Sequence, residues 1–141
     1  MINIEIPSPN IVITKQKALN TINKTPISSK YGFSDYINIP RRINGEQVAG
    51  IYMFFNEAEE LLYCGQTDSL RSRVREHFYS DSSAIKNYRD EVYQIKIIYV
   101  KDDFEREIYE TFIINKLESK YNIAKNFKRL RNAAEIDSNK A

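Results

Sequence analysis

The chain has 141 residues, 42% apolar and 28% charged, with 21 Lys and Arg against 19 Asp and Glu and a formal net charge of +2. That length and balance describe one globular domain able to bury a core, and no run approaches the ~20 apolar residues of a membrane span. A single cysteine, Cys64, excludes a disulfide within the chain and a cysteine-rich zinc module; the opening MINIEIPSPN has no basic or apolar signal region, so a cytoplasmic protein is expected.

Pro7, Pro9, Pro26 and Pro40 all fall in the first forty residues, a stretch also rich in Asn, Ser and Thr. Residues 1–49 therefore read as a lead-in that packs on a core built later, with one helix at about 14–24 and an Asn44-Gly45 turn near its end. From Gly50 the pattern sharpens. GIYMFF and LLYC are short aromatic and aliphatic runs separated by the polar NEAEE, which predicts a hairpin with a longer loop. TDSLRSRVREHFYS reads as a helix, with Thr67 or Asp68 as N-cap and Leu70, Val74 and Phe78 recurring every four residues. SDSSAIKNYRDE holds a further helical turn or two, and VYQIKIIYV, residues 92–100, is a strand. Asp102 and Glu105 form an Asp-x-x-Glu capping box opening a helix to about Lys120. NIAKNFKRLRNAAEI gives a short connection and a helix before a polar tail. The order β-β-α-(α)-β-α-α predicts an α+β, or mixed α/β, domain with helices against a small sheet.

Charge is unevenly divided. Residues 1–49 carry six basic and three acidic side chains, residues 50–141 fifteen and sixteen, so any nucleic-acid footprint must be local. Two clusters qualify: Arg71, Arg73 and Arg75, and the run Lys116, Lys120, Lys125, Lys128, Arg129 and Arg131, interrupted by Glu118 alone. Such clusters can neutralise phosphates, although a solvated face is the commoner outcome of a charge run. On a helical wheel Glu110 lies about 20° from Leu117 and about 40° from Ile114, an apolar arc where an acid is costly unless it is paired or holds a cation. The plain alternative is an i,i+4 ion pair with Arg106. Arg73 and His77 are also i,i+4 neighbours, beside the Leu70/Val74/Phe78 stripe. An arginine near a helix N-terminus can hold a phosphate bidentately, while a solvated arginine and a partly buried histidine are the plain readings. Tyr52 and Tyr63 are in isolation ordinary strand aromatics, and a phenol is a poor base near neutral pH.

Taken in order, these residues carry a resemblance. Gly-Ile-Tyr ending at Tyr52, ten residues, then Tyr63-Cys-Gly, followed by Gln-Thr-x-x-Leu-x-x-Arg-x-x-x-His, with Glu110 in a late helix and Asn122 in a Tyr-Asn pair, resembles the GIY-YIG nuclease superfamily. It is most similar to the incision domain of bacterial nucleotide-excision-repair nucleases. The resemblance implies a small, mainly antiparallel three-stranded sheet flanked by helices, with a nuclease core at 50–124, the lead-in at 1–49 and a basic C-terminal helix and tail at 125–141. Cys64 stands where the family commonly has a branched aliphatic, and reads as core, not as a nucleophile.

The resemblance further implies a DNA phosphodiesterase using Mg²⁺ (or Mn²⁺), with Glu110 as its protein carboxylate and Arg73 balancing charge on the phosphate. Tyr52 or Tyr63 would orient or deprotonate the attacking water, Tyr52 being the first choice. His77 is an alternative proton acceptor, and Asn122 tethers the site or contacts the backbone. Arg71, Arg75, Lys125, Lys128, Arg129 and Arg131 are the expected nucleic-acid contacts. A DNA repair endonuclease nicking damaged, branched or distorted DNA is the leading reading, with DNA and a repair or targeting protein as partners and no membrane. The competing readings are a sequence-specific restriction or homing endonuclease, and a catalytically inactive DNA-binding module.

Overall fold

A computed structural model of the chain describes residues 3–15, 31–33 and 38–139. Its strands are β1 (Ile11–Thr14), β2 (Arg42–Ile43), β3 (Glu46–Gln47), β4 (Gly50–Phe55), β5 (Leu61–Thr67) and β6 (Gln94–Tyr99). Among the described residues the α-helices are α1 (Leu70–His77), α2 (Asp103–Lys116) and α3 (Phe127–Asn139). The main sheet is antiparallel throughout, in the order β1-β6-β4-β5, and β2-β3 forms a separate hairpin. Asn44 and Gly45 close that hairpin with φ of 51° and 79°, the left-handed pair a two-residue turn requires. Among the described residues no helix is long and apolar enough to cross a membrane.

The sheet works as a partition. All six residues of β4 are buried, because alternate side chains of a central strand enter opposite layers. Tyr52 and Phe54 join Leu70, Val74 and Phe78 under α1, whereas Ile51, Met53 and Phe55 join Ile113 and Ile114 under α2. A bulge between Phe54 and Phe55 leaves Leu62 as the extra residue of β5, since Phe54 faces Tyr63 and Phe55 faces Leu61. The outer edge of β5 is covered by the segment after α2. Lys120 N donates to Leu61 O (3.0 Å), Tyr121 N to Leu62 O (2.8 Å), and the Asn122 amide bonds both backbone groups of Cys64 (2.9 Å each).

The fold class is as the sequence implies, with differences of detail. The sheet has four strands, not three, because Ile11–Thr14 pairs with β6 from within the expected lead-in. Ile13 is buried and Val12 half-exposed, the alternation of a strand covered on one face. The helix expected at 14–24 meets the described residues only at Thr14, which ends β1, and at Lys15; the rest of it lies outside them. Ser69, not Thr67 or Asp68, precedes α1, and the Thr67 hydroxyl instead accepts from Ser69 N (3.0 Å) as β5 ends. Asp102 does cap α2, accepting from Glu105 N (2.9 Å). That helix stops at Lys116, short of Lys120. Glu118 takes a φ of 51° and Ser119 N reaches back to Ile114 O (2.9 Å), a Schellman stop built without the usual glycine. Residues 80–93 form turns and one 3₁₀ segment at Arg89–Glu91.

Gly65 is a position this architecture cannot readily alter. It sits opposite Tyr52, and a Cβ there would collide with the Tyr52 hydroxyl and ring. Gly65→Ala should lower the urea-unfolding free energy by about 1–3 kcal/mol, the usual cost of overpacking. An unchanged urea midpoint would show that the ring does not depend on this gap.

Candidate active site

The hairpin mounts two phenols on one face. Directly paired residues of antiparallel strands project to the same side, so Tyr63, opposite Phe54, lies diagonal to Tyr52, opposite Gly65. Their ring centroids are 6.2 Å apart. Because β5 lacks a side chain at Gly65, the Tyr52 ring lies across its backbone and carries its hydroxyl toward α1.

There the hydroxyl meets His77. Leu70 and Val74 bury one stripe of α1, and His77, one turn after Arg73, turns inward with 6% of its surface exposed. Tyr52 Oη lies 2.8 Å from His77 Nε2, and His77 Nδ1 lies 2.8 Å from Ser83 Oγ. Arg89, itself buried, donates from Nε to His77 O (2.5 Å) and also bonds Ser80 O, which holds the end of α1 against the following turns. Burial, reinforced by the positive charges of Arg73 and Arg89, pushes the imidazole down to about 4, so His77 is neutral at pH 7. Burial, with Tyr63 beside it, pushes the Tyr52 phenol far above its ordinary value. The Tyr63 phenol is raised by burial and by Glu110. Both tyrosines are therefore protonated hydroxyls at pH 7. Arg73 is half-exposed at the rim and pairs with Glu76 at 3.3 Å.

The acidic side comes from α2. Glu110 is 8% exposed and faces the same pocket. Its cation is not Arg106, which donates to Val100 O (3.1 Å), Lys101 O (2.9 Å), Gln66 Oε1 (3.3 Å) and the Asp103 carboxylate. Lys125 Nζ instead lies 2.5 Å from Glu110 Oε1 and also contacts Glu107, which in turn accepts from the Gln66 amide. That hydrogen bond from Lys125 holds the Glu107 carboxyl below its usual value.

A pocket of about 310 Å³ is lined by Tyr52, Tyr63, Arg73, His77 and Glu110, together with Gln66 and the Ser80–Ala84 turn. Five residues singled out from the sequence thus meet at one cavity. Asn122 does not line it: its side-chain amide bonds both backbone groups of Cys64, and its Oδ1 also accepts from the Ser119 hydroxyl. Arg71 and Arg75 lie on α1, with Arg75 6.0 Å from the Tyr79 ring centre. Lys128 pairs with Glu118 at 3.6 Å, Arg129 bonds Lys120 O at 3.0 Å, and Arg131 is exposed on the same helix. Lys125 stands apart from them, turned into the carboxylates. The Cys64 thiol is 1% exposed and pushed up by burial, consistent with a core residue.

Gln66, Glu107 and Ser83 were not legible as site residues. Gln66 opens the Gln-Thr stretch of the motif and could have been flagged there, whereas Ser83 lies in a polar turn with no periodicity to place it. Among the described residues no three His, Cys, Asp or Glu side chains cluster to enclose a metal. A carboxylate at a polar pocket still suits Mg²⁺, which keeps most of its waters and uses one or two carboxylates.

A family model described as the UvrC-like GIY-YIG domain matches residues 48–123. The chain is 46% identical over 127 residues to the uncharacterized protein YurQ of Bacillus subtilis (strain 168), covering 90% of this chain and 98% of that one. It is 32% identical over 94 residues to the UvrABC system protein C of Neisseria meningitidis serogroup B, covering 64% of this chain but only 15% of that protein. Among solved structures, the GIY-YIG N-terminal endonuclease domain of UvrC from Thermotoga maritima bound to magnesium is 26% identical, with a TM-score of 0.49, over 54% of this chain and 84% of that one. With the family model spanning more than half of the chain, and its match opening just before β4 and closing just after Asn122, this protein belongs to the UvrC-like GIY-YIG domain family.

Proposed function

We propose that the protein is a metal-dependent DNA endonuclease that nicks damaged, branched or otherwise distorted DNA. The observation that carries this reading is the meeting of Tyr52, Tyr63, Arg73, His77 and Glu110, drawn from both strands of the hairpin and from two helices, around one pocket. Hydrolysis of a phosphodiester joins a water oxygen to phosphorus and releases the 3′-oxygen. Arg73, half-exposed at the rim, is free to exchange its surface partner Glu76 for a phosphate and so balance the charge that develops there. Tyr52 is too firmly protonated to act as a phenolate. It orients the water instead, and with the His77 proton on Nδ1 its own hydroxyl would donate along the 2.8 Å contact to the neutral Nε2. Ser83 on Nδ1 fixes the ring in the plane that makes this possible. Glu110 would hold Mg²⁺ or Mn²⁺, which when bound polarises the phosphoryl oxygen and stabilises the leaving oxygen.

One such pocket serves one strand, so a nick is the expected product. The exposed basic side chains of α3 would contact the DNA backbone without reading bases, which fits recognition by shape.

Purified protein should convert supercoiled plasmid to open circles with Mg²⁺ and not with EDTA. Glu110→Ala and Arg73→Ala should each lose at least about 100-fold in rate, the scale of removing one electrostatic contact to a developing charge. Inactivity of the wild type on plasmid, flap, bubble and single-stranded DNA alike would overturn the proposal. Reversing charge at Lys128 and Arg129 should weaken binding and reduce the salt slope by roughly two if both meet phosphates; an unchanged slope would remove α3 from the interface.

A second check concerns pH. His77 is the single histidine, with a proton affinity near 6.5 when unfolded and about 4 when folded. Between these values the unfolded chain binds more protons, so stability rises with pH. The contribution, on the order of 3 kcal/mol, is complete above pH 6.5 and lost as pH falls toward 4. Urea midpoints should drop between pH 6.5 and 4.5 in the wild type. His77→Gln should flatten that interval; a slope unaffected by the substitution would mean that His77 is not held neutral by the fold.

A further inference from the structure

Lys125 combines features that a solvated basic residue would not have. Its backbone takes a φ of 61°, a left-handed conformation that costs a non-glycine residue energy and persists only where the surroundings impose it. Asn115 imposes it. Its Nδ2 donates to Lys125 O (2.8 Å) and to Thr111 O (2.7 Å), and its Oδ1 accepts from Phe127 N (2.9 Å), so the peptide on either side of Asn126 is fastened to α2. Asn126 adds bonds to Ser119 O and Asn122 O (3.1 Å each). The Lys125 ammonium then projects into the acidic wall of the pocket, 2.5 Å from Glu110 Oε1 and in contact with Glu107. Its side chain is 31% exposed and that of Glu110 only 10%. The loop is thus held by asparagine bonds to the backbone, and the ion pairs are a separate feature laid on top of it.

We propose that Lys125 is a resident counter-cation of the active site: its ammonium occupies Glu110 while the divalent cation is away, and must withdraw from Glu110, keeping its contact with Glu107, for that cation to bind. This rests on the nuclease reading of Glu110. A nearly buried carboxylate without a partner is costly, and Lys125 supplies that partner. The same contact puts a threshold on metal uptake, because a ligand that binds only the fraction of molecules with Glu110 free shows an affinity reduced by that fraction. Glu107, half-exposed and bonded to Gln66, offers the displaced ammonium a second carboxylate at hand. The protein would then pass between two occupied states, ammonium or metal on Glu110, without exposing an uncompensated buried charge.

The test is calorimetric titration of the full chain with Mn²⁺, comparing wild type, Lys125→Asn and Lys125→Arg. Asparagine removes the charge and is at ease in the left-handed region, so the loop should keep its course; arginine keeps the charge. The expected result is Mn²⁺ binding tighter in Lys125→Asn, on the order of tenfold if the ammonium holds Glu110 in about nine molecules of ten. Lys125→Arg should stay close to wild type. In EDTA, Lys125→Asn should melt below wild type, and saturating Mn²⁺ should raise its melting temperature by more than it raises that of the wild type. Equal affinity in wild type and Lys125→Asn, weaker binding in Lys125→Asn, or equal tightening by Asn and Arg would overturn the proposal while leaving the nuclease reading intact. Absence of Mn²⁺ uptake in all three, with no nicking by the wild type, would overturn both. Plasmid nicking at limiting Mg²⁺ provides an independent readout: the proposal requires the half-saturating Mg²⁺ concentration to fall in Lys125→Asn.

Discussion

The Tyr52 ring lies across the backbone of Gly65, and most of the site's geometry descends from that contact. It needs a glycine at one point of β5 and a tyrosine directly opposite on β4, in a register fixed by the ladder. Once the ring is laid down this way, its hydroxyl emerges beneath α1, where it meets the inward-facing histidine of that helix. A register slip of one residue would send Tyr52 to the α2 side of the sheet and leave His77 with a buried, unsatisfied nitrogen. The hairpin is at once the centre of the core and the mount of both phenols.

The second half of the site reaches the pocket from the opposite layer. Glu110 belongs to α2, which packs Ile113 and Ile114 on the other face of the sheet, and yet its carboxylate joins the tyrosines. What ties α2 to β5 is the segment 119–122, whose backbone and Asn122 amide extend the sheet edge. Asn122 contributes by closing the open hydrogen-bonding edge of the strand that carries Tyr63 and Gly65. An amide side chain suits this because it mimics a peptide, with one acceptor and one donor head opposite the two backbone groups of Cys64.

Electrostatically the pocket is divided. On the α1 side, burial keeps an imidazole and two phenols uncharged. On the α2 side a chain of hydrogen bonds and ion pairs runs from Arg106 through Gln66 and Glu107 to Lys125 and Glu110. Uncharged hydroxyls and an imidazole facing an ionic wall would suit the proposed hydrolysis, since proton movement and charge stabilisation could be handled by different walls of one cavity.

The sequence by itself determined much of this. The apolar runs GIYMFF and LLYC on either side of the polar NEAEE, the four-residue spacing of Leu70, Val74 and Phe78, and the Asp102–Glu105 cap announced the hairpin and both main helices, because apolar runs, helix period and capping are local properties of the chain. Wheel geometry also put Glu110 on a buried arc. The tertiary structure alone decided the fourth strand, since IVIT is too short to declare itself until β6 offers an edge. It alone decided the partner of Glu110, because Arg106 was the obvious i,i+4 cation while Lys125 arrives from fifteen residues away through a loop stapled by Asn115. Ion pairs form between groups that folding brings within a few ångströms, and sequence spacing constrains that distance only within a helix or along a strand. For the same reason Lys125, indistinguishable by composition from Lys128 and Arg129, became part of the site while they remained on the surface.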